Sequence, residues 1–379
     1  MDIFIFDMDG VLVDVSKSYR RTIRRTVQIY LENCLGFQKR GRKGWITDEE
    51  ISLFKSAGGF NNDWDLTSGL LLYLLSTSGT PPLPRRKRSS SIPEVVSYLR
   101  AESSPFRRKI SIRLKRREFL SFLEKVSSKG GGLTGLRRIL QTSWEGWVYN
   151  MGDPDRENLV KRIFQEVYLG RMFSRRYHLR PIFYKGKGLY LQETTLIPGK
   201  ILSALRKSAW MGIASGRPRF EAELALRRLH LHPYFDNVVT LDECEAEENR
   251  IFLSTGKKVE CSKPRPYSIL KVVREIGVPN PHCAYVGDVV DDVLAARAAK
   301  KYLQLLAVGF VSGHRNKKIA RESMLRAGAD LVIENPEQLL RLVSSPPPPS
   351  LGRGRRQDFS SRRRLCRNMI YGIDTRNIL

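Results

Sequence analysis

Ile3-Phe4-Ile5-Phe6-Asp7-Met8-Asp9-Gly10 opens with four apolar β-formers in a row and closes on two carboxylates and a glycine. A run that is apolar at every residue, instead of every second one, is the pattern of a strand covered on both faces in a parallel sheet. Both acids then fall at the C-terminal end of that strand, where open α/β sheets place their ligands. Two carboxylates two residues apart are a weak signal alone, as often a turn or a solvated rim as a reactive pair. The rest of the chain decides between them.

Similar apolar runs recur much later, at 210–214, 237–240, 283–286, 303–308 and 330–333, separated by helical periodicity over 199–208, 217–230, 266–276, 289–300 and 315–327. Strands alternating with helices of that length read as βαβ units, which predicts a doubly wound, Rossmann-like parallel α/β sheet built from 1–15 and 195–343. Residues 16–194 are mainly helical in pattern and too many for a simple crossover, so they are expected to form an inserted α-helical cap domain. Helices are expected over 16–33, after the capping box Thr47 to Glu50, after Asn62-Asp63, and over 155–169. The stretch 77–154 changes character, with a Ser/Thr/Pro segment, Arg85-Arg86-Lys87-Arg88 and Gly130-Gly131-Gly132, and reads as a basic low-complexity insertion of linker signals with short helical pieces between them. From 344 to 379 four prolines and an Arg/Ser-rich tract predict a disordered tail.

The chain has 379 residues, 28% charged and 41% hydrophobic, which excludes a wholly disordered polymer. The formal charge is +27, and it is concentrated: residues 85–117 hold twelve basic and two acidic side chains, and 346–379 hold eight and two. Five scattered cysteines without a CxxC pair argue against a disulfide framework or a zinc site and for a reducing compartment. The first strand begins within two residues of Met1, leaving no room for a signal peptide. No apolar run approaches the roughly 20 residues of a membrane span. A soluble, intracellular and most simply cytoplasmic protein is expected, without membrane contact.

Three other places carry chemistry. Ser215-Gly216 closes the second strand of the sheet and can present a hydroxyl and a bare backbone N–H to an anion, or simply cap the next helix. Lys263, in Ser262-Lys263-Pro264-Arg265-Pro266, stands where prolines aim one ammonium. Asp288, Asp291 and Asp292 end another strand at the mouth of a helix, where the dipole favours them but their mutual repulsion calls for a cation.

Each of these has a bland explanation, yet all fall at strand ends in an order that can converge on one crevice. The order and wording (DMDGVLVD, SGRP, KPRP, VGDVVDDVLAARAA) closely resemble the haloacid dehalogenase superfamily, in particular its phosphoglycolate-phosphatase-like branch, whose helical cap follows the first motif. The resemblance covers about 1–75 and 155–340 and leaves 77–154 and the tail without a counterpart. It implies a Mg²⁺-dependent phosphatase acting on a small phosphorylated metabolite. Asp7 would be the nucleophile and Asp9 the general acid and base. Ser215, Gly216 and Lys263 would bind phosphate, and Asp7, Asp9 (through its carbonyl), Asp288 and Asp292 would form the metal site, Asp292 holding a metal-bound water or orienting Lys263. A phosphomutase is the alternative within the fold. A non-catalytic protein bound to nucleic acid through the basic segments is the alternative outside it, and the intact acid set counts against that. Substrate candidates are Lys55, Asn62 and Asp63 from the cap and Arg217 from the core, with Trp64 better read as cap core. The five histidines lack metal-ligand spacing and are expected to be structural.

Overall fold

Strand β1 (Ile3–Phe6) is buried at all four residues, as its unbroken apolar run requires. It is the centre of a sheet which, among the described residues, has six strands. The computed structural model describes residues 1–38, 44–56, 58–60, 62–85, 91–107, 115–140, 142–314 and 316–343. The expected tail over 344–379 and most of the basic run, Arg86-Lys87-Arg88, lie outside them.

After β1 the chain makes a tight turn in which the Gly10 N–H donates to the Val13 carbonyl at 2.9 Å and the Val13 N–H to Met8 at 2.9 Å. It then enters the short strand β2 (Val13–Asp14). Contacts divide the chain here: Val15–Glu193 is one compact unit, and Met1–Asp14 with the chain from Thr194 onward is the other.

The helical unit contains α1 (Tyr19–Ile29), α2 (Asp48–Ser56), α3 (Asp63–Ser76), α4 (Ile92–Ser103), α5 (Arg116–Ser128), α6 (Gly132–Leu140), α7 (Leu159–Leu169) and α8 (Met172–Tyr177). Helix α3 is buried nearly all round, from Trp64 to Leu75, which is why its sequence shows an apolar block and little amphipathic alternation. Tyr19 of α1 stacks on Tyr168 of α7 at 4.7 Å between ring centroids. The region read as a low-complexity insertion holds more packed helix than its linker signals imply. Helix α4 buries Ile92, Val95 and Leu99, and α5 buries Phe119, Leu123 and Val126. Gly132 of the triple glycine serves close packing: at φ +56°, a Cβ there would stand 1.9 Å from the Gly59 carbonyl oxygen.

The other unit resumes at β3 (Thr194–Thr195), antiparallel to β2 with Val13 opposite Thr195. It continues through α9 (Gly199–Arg206), β4 (Trp210–Ala214), α10 (Arg219–Arg228), β5 (Asn237–Val239), α11 (Leu241–Thr255), α12 (Tyr267–Ile276), β6 (His282–Gly287), α13 (Val290–Ala299), β7 (Gln304–Phe310), α14 (Lys317–Ala327) and β8 (Leu331–Ile333). The strand order is β5-β4-β1-β6-β7-β8 and every pairing is parallel. The sheet therefore reverses its winding beside β1, with Phe6 in register with Ile213 on one side and Val286 on the other. Ile3 and Ile5 join Ala214, Val239, Val272, Tyr285 and Ala296 in a core on one face. Before Lys263 the chain forms α11, opened by the Thr240–Glu243 capping box and closed at Gly256 with φ +70°.

Candidate active site

The register of β1, β4 and β6 brings the ends of three strands together, and the motif residues are the ones that follow those ends. Asp7 continues β1 by donating its N–H to the Val286 carbonyl at 2.8 Å. Its carboxylate is buried, and Oδ1 accepts a hydrogen bond from Lys263 Nζ at 2.7 Å. The same ammonium donates to Asp292 Oδ1 at 2.7 Å and to the Tyr285 hydroxyl at 3.1 Å. One ligand oxygen each from Asp7, Asp288 and Asp292 lies within 4.8 Å of the others. Residues more than 250 positions apart thus meet at one point, the meeting that the motif order anticipates.

Asp292 is fully buried and its oxygens are already well supplied. Oδ1 accepts from Lys263 and from the Tyr285 hydroxyl at 2.8 Å, and Oδ2 accepts from the N–H groups of Asp288 and Val289 at 3.0 and 3.2 Å. Four donors fill the lone-pair sites of a carboxylate. That suits Asp292 to orient Lys263 and the turn into α13, and leaves Asp7 and Asp288 as the carboxylates with room for a cation. Asp288 is held close by the turn after β1, since a Cβ on Gly10 would lie 2.0 Å from its Oδ2.

The electrostatics are short of positive charge. Burial pushes the Asp7 carboxyl up to about 8; Lys263 pulls it down, while Asp292, Asp288 and Asp9 repel its charge. Burial also works against the Lys263 ammonium, but Asp292 and Asp7 outweigh it and hold Lys263 well above the ordinary lysine value. A hard divalent ion that takes one or two carboxylates and keeps several waters is what this donor set fits, and Mg²⁺ is such an ion. Asp7 and Asp288 would hold it, with the Asp9 carbonyl as the family resemblance implies.

Arg217, the substrate candidate from the core, stands beside Asp9. Its side chain is buried and its Nε donates to Asp9 Oδ1. Ser215 is buried at the end of β4, where its Oγ accepts the Arg217 N–H at 3.2 Å, so its own hydroxyl proton is directed elsewhere. Gly216 is exposed beside it. In the helical unit, Lys55 pairs with Asp63 at 3.5 Å, and Asn62 caps α3 by accepting the Asp65 N–H at 2.8 Å. Trp64 packs edge-on against Phe164 at 6.0 Å, which is the core role expected of it.

Two members of the constellation are missing from the sequence reading. Tyr285 was legible only as a strand residue, and its hydroxyl proves to bridge Lys263 and Asp292. His314, grouped with the structural histidines, follows β7, and its Nε2 lies 2.9 Å from the Asp288 carbonyl oxygen and 3.5 Å from Oδ2. No sequence signal marked it, because only the folded sheet sets β7 beside β6, which carries Asp288 at its end.

The family profile described as haloacid dehalogenase-like hydrolase matches residues 89–300, a span holding Ser215, Lys263, Asp288 and Asp292. An imidazoleglycerol-phosphate dehydratase of Phytophthora nicotianae is 23% identical over 297 residues, 78% of this chain and 41% of that protein. A phosphoglycolate phosphatase of Xanthomonas campestris pv. campestris is 29% identical over 137 residues, 36% of this chain and 52% of that one. The chain thus spans about half the length of these curated relatives. The solved structure of a Northeast Structural Genomics Consortium target superposes with a TM-score of 0.54 at 19% identity, covering 90% of this chain and 98% of that one, a likeness of fold. No described helix is long and apolar enough to cross a membrane.

Proposed function

Because the chain belongs to the haloacid dehalogenase-like hydrolases, we propose that it is a Mg²⁺-dependent phosphatase that hydrolyses a small phosphorylated metabolite through an aspartyl-phosphate on Asp7. The observation that carries this reading is the buried Asp7 carboxylate at the end of the central strand, gripped on one oxygen by Lys263 and flanked by Asp288. With Oδ1 engaged by Lys263, Oδ2 is the attacking oxygen. When bound, Mg²⁺ supplies the positive charge that lets an anionic nucleophile approach a phosphate dianion.

Attack of Asp7 Oδ2 on phosphorus forms the O–P bond and breaks the bond to the ester oxygen. Asp9 gives its proton to the departing alkoxide. A water then attacks the aspartyl-phosphate, Asp9 takes its proton, and inorganic phosphate leaves with Asp7 restored. The Ser215 hydroxyl, the Gly216 N–H and the Lys263 ammonium stabilise charge on the phosphoryl oxygens. Arg217, through its bond to Asp9, keeps the acid aimed at the ester oxygen.

The test is phosphate release from a panel of phosphorylated metabolites, with Mg²⁺ and with EDTA. Release that needs Mg²⁺ and vanishes in a folded Asp7→Asn protein is expected. Full activity in that variant would sink the reading, and phosphate returned to the substrate at another position would make the protein a mutase instead.

A further inference from the structure

The helical unit holds a cleft of about 540 Å³ that none of the proposed catalytic residues lines. That size lies within the roughly 300–1,000 Å³ of small-molecule sites. One wall is the exposed face of α1, where Arg24 and Arg25 stand one helical turn from Arg21 and all three line the same opening. Among the described residues, the hydrogen bonds of Arg21 and Arg25 go to neutral amides: Arg21 donates to Gln192 Oε1, and Arg25 to Gln28 Oε1 at 2.8 Å. Arg24 has an acid partner, Asp48, at 3.4 Å on an exposed edge. The nearby Glu32 is taken up by the Trp45 indole N–H at 2.8 Å and the Gln28 amide at 2.9 Å. Among the described residues, two guanidinium forks are thus presented without a carboxylate to neutralise them.

The rest of the lining is largely aromatic and apolar, with half-buried Trp45 and Tyr184 and the buried Val167. It is held in place before any ligand arrives. The buried Glu166 carboxylate accepts the N–H groups of Ile182, Phe183 and Tyr184 at 2.6–3.0 Å, and Arg162 donates to it at 2.6 Å. Preorganised walls reduce the ordering cost of binding. Guanidinium forks match phosphate oxygens, and flat rings pack on aromatic side chains.

We propose that this cleft is a second ligand site, for a nucleotide, whose phosphates are taken by Arg21 and Arg25 and whose base packs on the wall of Trp45 and Tyr184. The proposal does not depend on the phosphatase reading, because no residue of that site contributes.

The experiment is calorimetric titration of the full-length Asp7→Asn protein in EDTA with ADP, inorganic phosphate and adenosine. One saturable ADP site is expected, weakened about tenfold or more by Arg21→Gln/Arg25→Gln and weakened by added salt. Phosphate alone should bind more weakly than ADP, and adenosine weakest. Both arginines are exposed, so the double variant should unfold at the same temperature as its parent. The proposal is overturned if ADP does not bind, if the double variant binds it equally well, or if inorganic phosphate binds as tightly as ADP, which would make the cleft a site for the free anion.

Discussion

Replacing Asp7 with Asn should make the metal-free protein more stable, and more so at higher pH. The Asp7 carboxyl is held near 8 in the folded chain, against 3.8 for an unperturbed aspartate. Between those values the folded chain keeps a proton that the unfolded chain has released. Stability therefore falls as pH rises through that window, by at most about 1.4 kcal/mol per pH unit, and levels off above it. Taken over the whole window this gives an upper bound of about 6 kcal/mol. The attraction to Lys263 is already contained in that balance, since Lys263 is one of the causes that set the Asp7 value. Asn carries no charge at any pH and removes the penalty. Urea unfolding in EDTA, followed by tryptophan fluorescence, should show Asp7→Asn ahead of the parent near pH 8, by no more than about 6 kcal/mol, with the gap narrowing toward pH 5. Adding Mg²⁺ should stabilise the parent more than the variant, because a ligand that binds only the folded state shifts unfolding by mass action. A variant less stable than its parent at pH 8 in EDTA, or a gap indifferent to pH, would refute the account of a carboxylate short of positive charge.

Arg217→Met should depress turnover of an alkyl phosphate by roughly ten- to hundredfold while sparing an aryl phosphate, whose leaving group needs little proton assistance; Arg217→Lys should recover part of the loss, and equal losses on both esters would reduce Arg217 to a packing residue. His314→Ala should raise the Mg²⁺ concentration needed for half-maximal activity by about 10–100-fold, the usual effect of losing a group that orients a metal ligand, as read from a Mg²⁺ titration of phosphate release. Gly10→Ala, at φ +78°, should cost about 1–2 kcal/mol in backbone conformation and also weaken the Mg²⁺ response, because its methyl group displaces Asp288; an unchanged Mg²⁺ titration would count against Asp288 as a ligand. Arg162→Met, which strands the buried Glu166 carboxylate, should destabilise the helical unit by about 3–5 kcal/mol on thermal unfolding.

The strands of the sheet were legible because a parallel sheet covered on both faces demands unbroken apolar runs. Ile3–Phe6 and Trp210–Ala214 are such runs. Asp7, Ser215 and Asp288 were legible for the same reason, each following a strand end. The glycine at 132 was read toward linker because consecutive glycines signal a break locally, whereas α4 falls between the linker signals, where short helical pieces were expected. Whether a glycine bends a chain or admits a neighbouring backbone depends on what lies across from it, here Gly59. The arginines of α1 look like an ordinary solvated helix face until folding gathers Trp45 and Tyr184 into the same cleft.

By itself the sequence determined the alternation of strands and helices, the place of the helical insertion and the residue types at the strand ends, since these follow from periodicity and local backbone preference. The tertiary structure alone decided that Arg217 serves Asp9, that Tyr285 and Asp292 hold Lys263, and that His314 stands against Asp288. Those pairings depend on strand order and on which side chains meet across a sheet, and separation along the chain carries no record of either.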